Sequence, residues 1–289
     1  MARLDRKREI ELSEWFYTSD LHGQGALYEQ VLALGATRRP SAVLLGGDLC
    51  PHDASRDGVQ SQRVFLEGFL IEFARRLRDA VPGVELLLLM GNDDWAANAD
   101  CLDHGHGTLW RVLHERSASV EGRAVAGISW VPITPFGLKD WERWDDGGEE
   151  QPLRLDGVTS RTGAITPLCF DATRRSPTIA ESLSALAATV AAPETIFVSH
   201  SPPRDTRCDL IGARRHVGSR ALRQFIEHYQ PPLVLTGHIH ESPRVSQSYR
   251  DSIGRTVVVN PGQFGTSRLA GVWFDPADPA GTLRHTLYG

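Results

Sequence analysis

The chain has 289 residues, with 31 Lys and Arg against 36 Asp and Glu for a formal net charge of −5, and its basic residues form no long stripe. That balance argues against unaided binding to a nucleic-acid backbone, so no nucleic-acid duplex is expected as a partner. No run approaches the roughly 20 apolar residues that a membrane span needs, which argues against a membrane partner.

The opening "MARLDRKREIELSE" carries charges throughout and no apolar signal-type stretch. Cys50, Cys101, Cys169 and Cys208 are scattered without CxxC spacing. They suit a reducing compartment as buried or inert thiols, and a cytoplasmic protein is expected. Residues 1–13 read as a charged tail and 14–289 as a single domain, since α/β folds of this length commonly share one core.

In chain order, "EWFYTSD" predicts a first strand ending at Asp20, and "GALYEQVLALGAT" the helix after it. "SAVLLGGDL" predicts a second strand ending near Asp48. The stretch "SQRVFLEGFLIEFARRLRDAVPG" places Val64, Phe65, Phe69, Leu70, Phe73 and Leu77 at helical spacing, and Pro82-Gly83 stops it. "VELLLLM" then forms a third strand. Strands alternating with helices in this way predict βαβ units and a largely parallel sheet at the start.

Beyond residue 115 "ASVEGRAVAGISWVP" predicts a strand pair. The polar, Gly- and Pro-containing loop carrying Trp141 and Trp144 makes residues 135–176 a candidate insertion or lid. Both tryptophans could cover the cleft or pin the insertion to the body. In "SPTIAESLSALAATVA" Ser176 is the expected helix cap, with Pro177 in the first turn and Glu181 following. A second strand-helix-strand unit runs from "TIFVSHSPP" through "GSRALRQFIEHY" to "PLVLTGHIH", and "RTVVVNPGQFG" and "LAGVWFD" end the chain as strands.

Metal-ligand side chains stand at the ends of these strands. Asp20-Leu21-His22 follows the first, Gly47-Asp48 the second, Gly91-Asn92-Asp93-Asp94 the third, and His200 and Gly237-His238-Ile239-His240 the two later ones. In an open α/β sheet the carboxyl ends of the strands face one crevice, so these groups can meet there. Two carboxylates, an amide oxygen and four imidazoles suit Mn, Fe, Zn or Co, whereas an all-oxygen set would suit Mg or Ca. Seven ligands are too many for one tetrahedral ion. They fit two divalent or trivalent ions that share a bridging carboxylate and keep positions open for water. The glycines at 23, 47, 91 and 237 are expected to let the backbone turn beside the ions.

The ordered series Asp20-x-His22, Gly47-Asp48, Gly91-Asn92, His200 and Gly237-His238-x-His240 resembles the calcineurin-like metallophosphoesterases and extends over most of the chain. That resemblance implies a four-layer α/β/β/α sandwich of two mixed sheets flanked by helices, with a dinuclear site at the carboxyl ends of the strands. It further implies that Asp20, His22 and His240 hold one ion, that Asn92, His200 and His238 hold the other, and that Asp48 bridges them. The implied activity is hydrolysis of a small-molecule phosphoester by a metal-activated water.

Many relatives read GNH where this chain reads Gly91-Asn92-Asp93, and that His is thought to protonate the leaving oxygen. An ionised Asp93 beside an incoming phosphate would repel it, so it must be protonated, turned away or paired with a base. The departure favours a phosphodiesterase, with Asn92 and a substituted Asp93 as the catalytic candidates. His52, soon after Asp48, could touch substrate, although an isolated His more often sits in a surface loop. Arg204 could bind phosphate bidentately, solvated charge being its commoner role. His104 and His106 imitate the GHxH spacing but follow a helical region, which makes them loop or helix-end residues. The alternatives are a phosphomonoesterase or protein phosphatase with the same site, a non-catalytic scaffold of the same fold, and a nuclease subunit, for which a basic face is missing.

Overall fold

A computed structural model of the chain describes residues 13–289 except 149, 151, 264 and 266; residues 1–12 of the expected charged tail lie outside the described residues. Strands β1 (Trp15–Thr18), β2 (Ala42–Leu45), β3 (Glu85–Leu88) and β4 (Arg111–Val112) pair in parallel. Parallel neighbours need crossovers, and helices supply them. The first is α1 (Gly25–Arg38). The second, expected as one helix, runs as α2 (Gly58–Val64), a π-helical segment (Phe65–Leu70) and α3 (Ile71–Ala80). The π segment stacks Phe65 on Phe69 with ring centres 4.9 Å apart, and both rings meet Tyr28 of α1. The short α4 (Ala99–Gly105) makes the third crossover.

The expected strand pair is a hairpin of β5 (Arg116–Val120) and β6 (Arg123–Ile128), turning through Glu121 and Gly122 at φ 50° and 78°. Short strands β7 (Val131–Pro132), β8 (Glu142–Arg143), β9 (Asp156–Thr159) and β10 (Thr166–Cys169) follow, then α5 (Ile179–Ala187), β11 (Ile196–Ser199), α6 (Arg220–Tyr229) and β12 (Leu233–Thr236). The chain ends through β13 (Arg250–Ile253), β14 (Thr256–Val259), β15 (Val272–Phe274) and β16 (Arg284–His285). Two six-stranded sheets result, ordered β16-β15-β1-β2-β3-β4 and β13-β14-β12-β11-β6-β5. Antiparallel β15 joins β1, and antiparallel β13 and β5 flank the second sheet, so both sheets are mixed.

Strand residues alternate between two apolar environments. Trp15, Tyr17, Leu44, Leu87, Val198 and Leu235 fill the space between the sheets. Phe16, Val43, Leu86, Phe197 and Val234 face outward to pack with Leu27, Tyr28, Phe73, Leu183 and Phe225 of the helices. Each sheet is therefore covered on both faces, which is why runs such as "AVLL" and "ELLL" are apolar nearly throughout rather than alternating. The layers are helix, sheet, sheet, helix, as the resemblance implied.

The N-cap of α5 differs from expectation. Thr178, not Ser176, accepts the Glu181 N–H at 3.1 Å, and the Glu181 carboxylate returns to the Thr178 N–H at 2.6 Å. A capping box outcompetes a lone serine because it satisfies two otherwise orphaned donors.

The segment 135–176 is tied to the rest of the chain by buried polar contacts. Lys139 and Glu142 are fully buried and pair at 2.7 Å, with Lys139 also donating to the Thr134 carbonyl. Burial pushes the Glu142 carboxyl up to about 7 despite that partner. Asp140 accepts from Ala96 N–H at 2.9 Å and from Thr159 Oγ1 at 2.6 Å, linking β9 to the segment after β3. Trp141 and Trp144 are both buried, and Trp141 Nε1 donates to the Asp94 carbonyl at 2.7 Å. The tryptophans pin this segment to the rest of the chain rather than cover the cleft. Trp141→Ala is accordingly expected to lower unfolding stability by about 3–5 kcal/mol, as loss of a buried aromatic does. Urea titration checks this, and a midpoint matching the wild type would contradict it.

Candidate active site

Hydrogen bonds stitch together the loops at the carboxyl ends of the strands. Asp20 N–H donates to Gly47 O at 3.0 Å, His22 N–H to Asp48 O at 2.8 Å, and Gly237 N–H to His200 O at 3.0 Å. Asp20, His22, Asp48 and His238 adopt left-handed conformations with φ of 61°, 44°, 50° and 66°. Such conformations cost a non-glycine residue on the order of 1–3 kcal/mol each and persist where surroundings over-determine them, typically at functional sites.

The glycines divide their work differently from expectation. Gly47, at φ 108°, makes a turn that only glycine tolerates. Gly91 has no such φ; a Cβ there would lie 2.2 Å from Asp48 Oδ1 and 2.5 Å from His200 Cε1. Space, not turning, requires glycine at 91, and the same holds at Gly237, where a Cβ would fall 2.1 Å from Ser19 Oγ.

The seven expected side chains come together. Ligating atoms of Asp20, His22, Asp48 and His240 all lie within 4.8 Å of one another. His22 Nε2 faces His240 Nε2 at 3.2 Å, His240 Nε2 stands 3.4 Å from Asp20 Oδ1, and His22 Nε2 stands 3.7 Å from Asp48 Oδ2. On the other side of Asp48, His200 Nε2 stands 3.4 Å from Oδ2 and 3.1 Å from Asn92 Oδ1. The His238 ring centre lies 5.3 Å from that of His200. Asp48 thus touches both groups.

Electrostatics favour positive charge at this place. Burial opposes a charged His200, but Asp48 and Asp20 prevail and push its pKa up to about 10. His240, opposed by burial in the same way, is pushed up to about 9 by Asp20. Burial would raise Asp48 and Asp20, yet His200 and His240 respectively hold both carboxyls below the usual carboxylate range. His238 is pushed down to about 3, first by burial and then by His200. The site therefore holds two buried carboxylates and a neutral imidazole around a region that attracts cations.

Asp93 and Asp94 have opposite orientations. Asp94 points inward and is buried; it accepts from Gly91 N–H at 2.9 Å, Leu49 N–H at 3.1 Å and Cys50 N–H at 2.9 Å. It joins the loop after β2 to the loop after β3. Asp93 points to the cleft, where Oδ2 lies 3.1 Å from His52 Nδ1 and 3.7 Å from His22 Nδ1. Burial and Asp48 raise its pKa while the two imidazoles oppose. Of the three options open to Asp93, pairing with a base is the one found. His106, by contrast, accepts the Val112 N–H at 3.0 Å and serves β4, and His104 lies within α4.

The model of the calcineurin-like phosphoesterases matches residues 16–242. This chain belongs to that family. Among solved structures, the calcineurin-like fold here is similar to TT1561 of Thermus thermophilus, at 19% identity and a TM-score of 0.56, covering 95% of this chain and 98% of that one. It is similar as well to a dimetal phosphatase from Danio rerio, at 12% identity and a TM-score of 0.54, covering 91% and 92%. No curated protein matches in sequence.

The residues fit the metal pair on which the family depends. His200 Nδ1–H donates to the Gly46 carbonyl at 2.8 Å, so Nε2 turns toward Asp48 Oδ2 and Asn92 Oδ1. A cation at that point would be met by the oxygens of Asp48 and Asn92 and by the Nε2 lone pair of a neutral His200. His22 Nδ1 is buried without a hydrogen bond, and its nearest acid is Asp93.

Two features of the cleft escaped sequence reasoning. Phe136, in the loop after β7, is 54% exposed and borders cavities on both sides of the site. His216 pairs through Nδ1 with the buried Asp209 at 2.7 Å and lines the cavity that contains His238 and Arg204. Their spacing, seven residues apart in an irregular loop, carries no periodic signal.

Proposed function

We propose that this protein is a metal-dependent phosphodiesterase acting on a small phosphoester. In this reading Asp20, His22 and His240 hold one ion, Asn92, His200 and His238 hold the other, and Asp48 serves both. The observation that carries it is the position of Asp48, whose Oδ2 stands 3.4 Å from His200 Nε2 on one side and 3.7 Å from His22 Nε2 on the other. Mn, Fe, Zn and Co suit the mixed oxygen and nitrogen donors. Bound at this site, such ions polarise a phosphoryl oxygen and lower the pKa of water toward neutrality.

The chain's own groups set orientation. The Gly46 carbonyl fixes the tautomer of His200, and the backbone N–H of His238 holds Asp20 at 3.0 and 3.1 Å from its two oxygens. Asn92 contributes a neutral oxygen and donates through Nδ2 to Asp93 Oδ1 at 3.0 Å, which limits negative charge where a phosphate must approach.

Asp93 supports the diester preference. With its carboxylate held by His52 and Asn92, it offers the leaving oxygen no imidazole proton from this position, which matters least for a diester with a stabilised leaving group. His52, 65% exposed, favours the second reading of a phosphomonoesterase, because it returns an imidazole to the same wall of the cleft.

The deciding experiment compares hydrolysis of bis(4-nitrophenyl) phosphate and 4-nitrophenyl phosphate by chelated protein reloaded with manganese. A higher kcat/KM on the diester supports the proposal, and a preference for the monoester overturns it in favour of the second reading. Asp93→His is expected to raise kcat roughly 10²-fold on a monoester with a poor leaving group, the usual size of a general-acid contribution. Unchanged kcat would mean that residue 93 does not reach the leaving oxygen.

A further inference from the structure

The cleft has two lobes of opposite character. The first, about 550 Å³, is lined by Trp95, Phe136 and Leu138 together with His52 and Asp93, and its Arg154 pairs with Asp156 at 3.3 Å. Apart from that paired guanidinium and the His52 imidazole, which meets Asp93 at 3.1 Å, it is apolar and acidic. The second, about 390 Å³, reaches from Phe136 and the candidate ligand His238 to Arg204, Arg215 and His216.

The basic wall of the second lobe is built. Asp209 is fully buried and accepts from Thr206 N–H at 2.9 Å and Gly218 N–H at 3.0 Å. Those donors fix it against His216 Nδ1 at 2.7 Å, which leaves Nε2 for the cavity. The Arg215 guanidinium makes no hydrogen bond or ion pair among the described residues. Among the described residues the Arg204 guanidinium meets only Asp205, at 3.9 Å. Arg220 is occupied by Asp146 at 3.2 Å, and the buried Asp145 accepts from Ser219 Oγ at 2.6 Å; Glu150 is the exposed acid of this lobe. Two guanidiniums and an oriented imidazole therefore line one cavity with His238, with more cationic than anionic groups facing it.

A phosphodiester places one substituent on each side of its phosphorus, and lobes of different charge would sort them. Guanidinium groups recognise phosphate and carboxylate oxygens by paired, charge-assisted hydrogen bonds. We propose that one alcohol of the substrate carries a second anionic group, a phosphate or carboxylate, bound by Arg204, Arg215 and His216, while the uncharged apolar substituent lies against Trp95 and Phe136. This inference rests on the phosphodiesterase reading for its turnover but not for its binding.

The test uses two chromogenic diesters that differ by one group: thymidine 5′-(4-nitrophenyl phosphate) and the same ester bearing a 3′-phosphate. With the manganese-loaded full chain, the 3′-phosphate is expected to raise kcat/KM by about tenfold or more, chiefly through KM, the worth of one good charge-assisted contact. In the double variant Arg204→Ala, Arg215→Ala the ratio should fall toward one. Equal kcat/KM for the two esters, or a ratio unchanged in the double variant, overturns the assignment. Calorimetric binding of thymidine 3′,5′-bisphosphate against thymidine 5′-phosphate separates the two readings. Tighter binding of the bisphosphate, lost in the double variant, upholds the basic lobe even if neither ester is hydrolysed, a result that would instead sink the phosphodiesterase reading. Equal binding overturns the lobe.

Discussion

Asp48→Asn is expected to lower kcat roughly 10³-fold, about 4 kcal/mol of transition-state stabilisation, and to weaken both ions at once. Asp48 is buried, and its two oxygens have separate duties. Oδ1 accepts the Asp93 N–H at 2.8 Å, which an asparagine oxygen can still do. Oδ2 stands between His200 Nε2 and His22 Nε2, and an amide NH₂ there would oppose a cation instead of attracting it. The substitution therefore preserves shape while removing the charge shared by both groups of ligands. Metal content by plasma mass spectrometry and kcat on bis(4-nitrophenyl) phosphate check it together. Two tightly held ions per chain with a near-normal rate would refute the shared role, and loss of one ion alone would assign Asp48 to a single position.

Asp94→Ala is expected to cost roughly 3–9 kcal/mol of unfolding free energy, since three buried backbone donors would lose their acceptor at about 1–3 kcal/mol each. These donors, on Gly91, Leu49 and Cys50, flank Asn92 on one loop and Asp48 on the other. Metal affinity should fall with stability even though Asp94 belongs to neither group of facing ligand atoms. Denaturant titration beside metal binding distinguishes this from a general loss of fold. A variant with unaltered stability would mean that water takes over the three donors, and the clamp would have to be abandoned. Burial pushes the Asp94 carboxyl up to about 6, with Asp48 adding to the rise, so the clamp forms despite a sizeable desolvation cost.

Much of the metal-ligand cluster was legible in the chain because it depends on local rules. Strand ends follow from short apolar runs, and the side chains just beyond them fall in one crevice whenever parallel strands are neighbours. Asp20, His22, Asp48, Asn92, His200, His238 and His240 all sit at such positions. The difference between Asp93 and Asp94 was not legible, because adjacent residues in a tight turn point in directions that only the completed backbone sets. Trp141 and Trp144 read equally well as cleft cover or anchor, since burial depends on which surface the insertion meets. Thr178 displaced Ser176 as the cap of α5 because Glu181 lies three residues beyond Thr178, the spacing of a capping box, and five beyond Ser176.

Apolar periodicity by itself indicated crossover helices and a largely parallel sheet at the start, and the ordered ligand motifs a crevice at the strand ends, because each rests on contacts close in sequence or on strand topology; the two mixed sheets covered by helices were implied only by the family resemblance that those motifs carry. Only the tertiary structure decided that Gly91 is glycine for space, that Asp93 is held by His52, that Asp94 clamps two loops, and that Asp209 aims His216 into a basic lobe. Each of these depends on the distance and direction between groups on different turns or loops. Such geometry is fixed by packing of the whole chain, and no periodicity in the sequence records it.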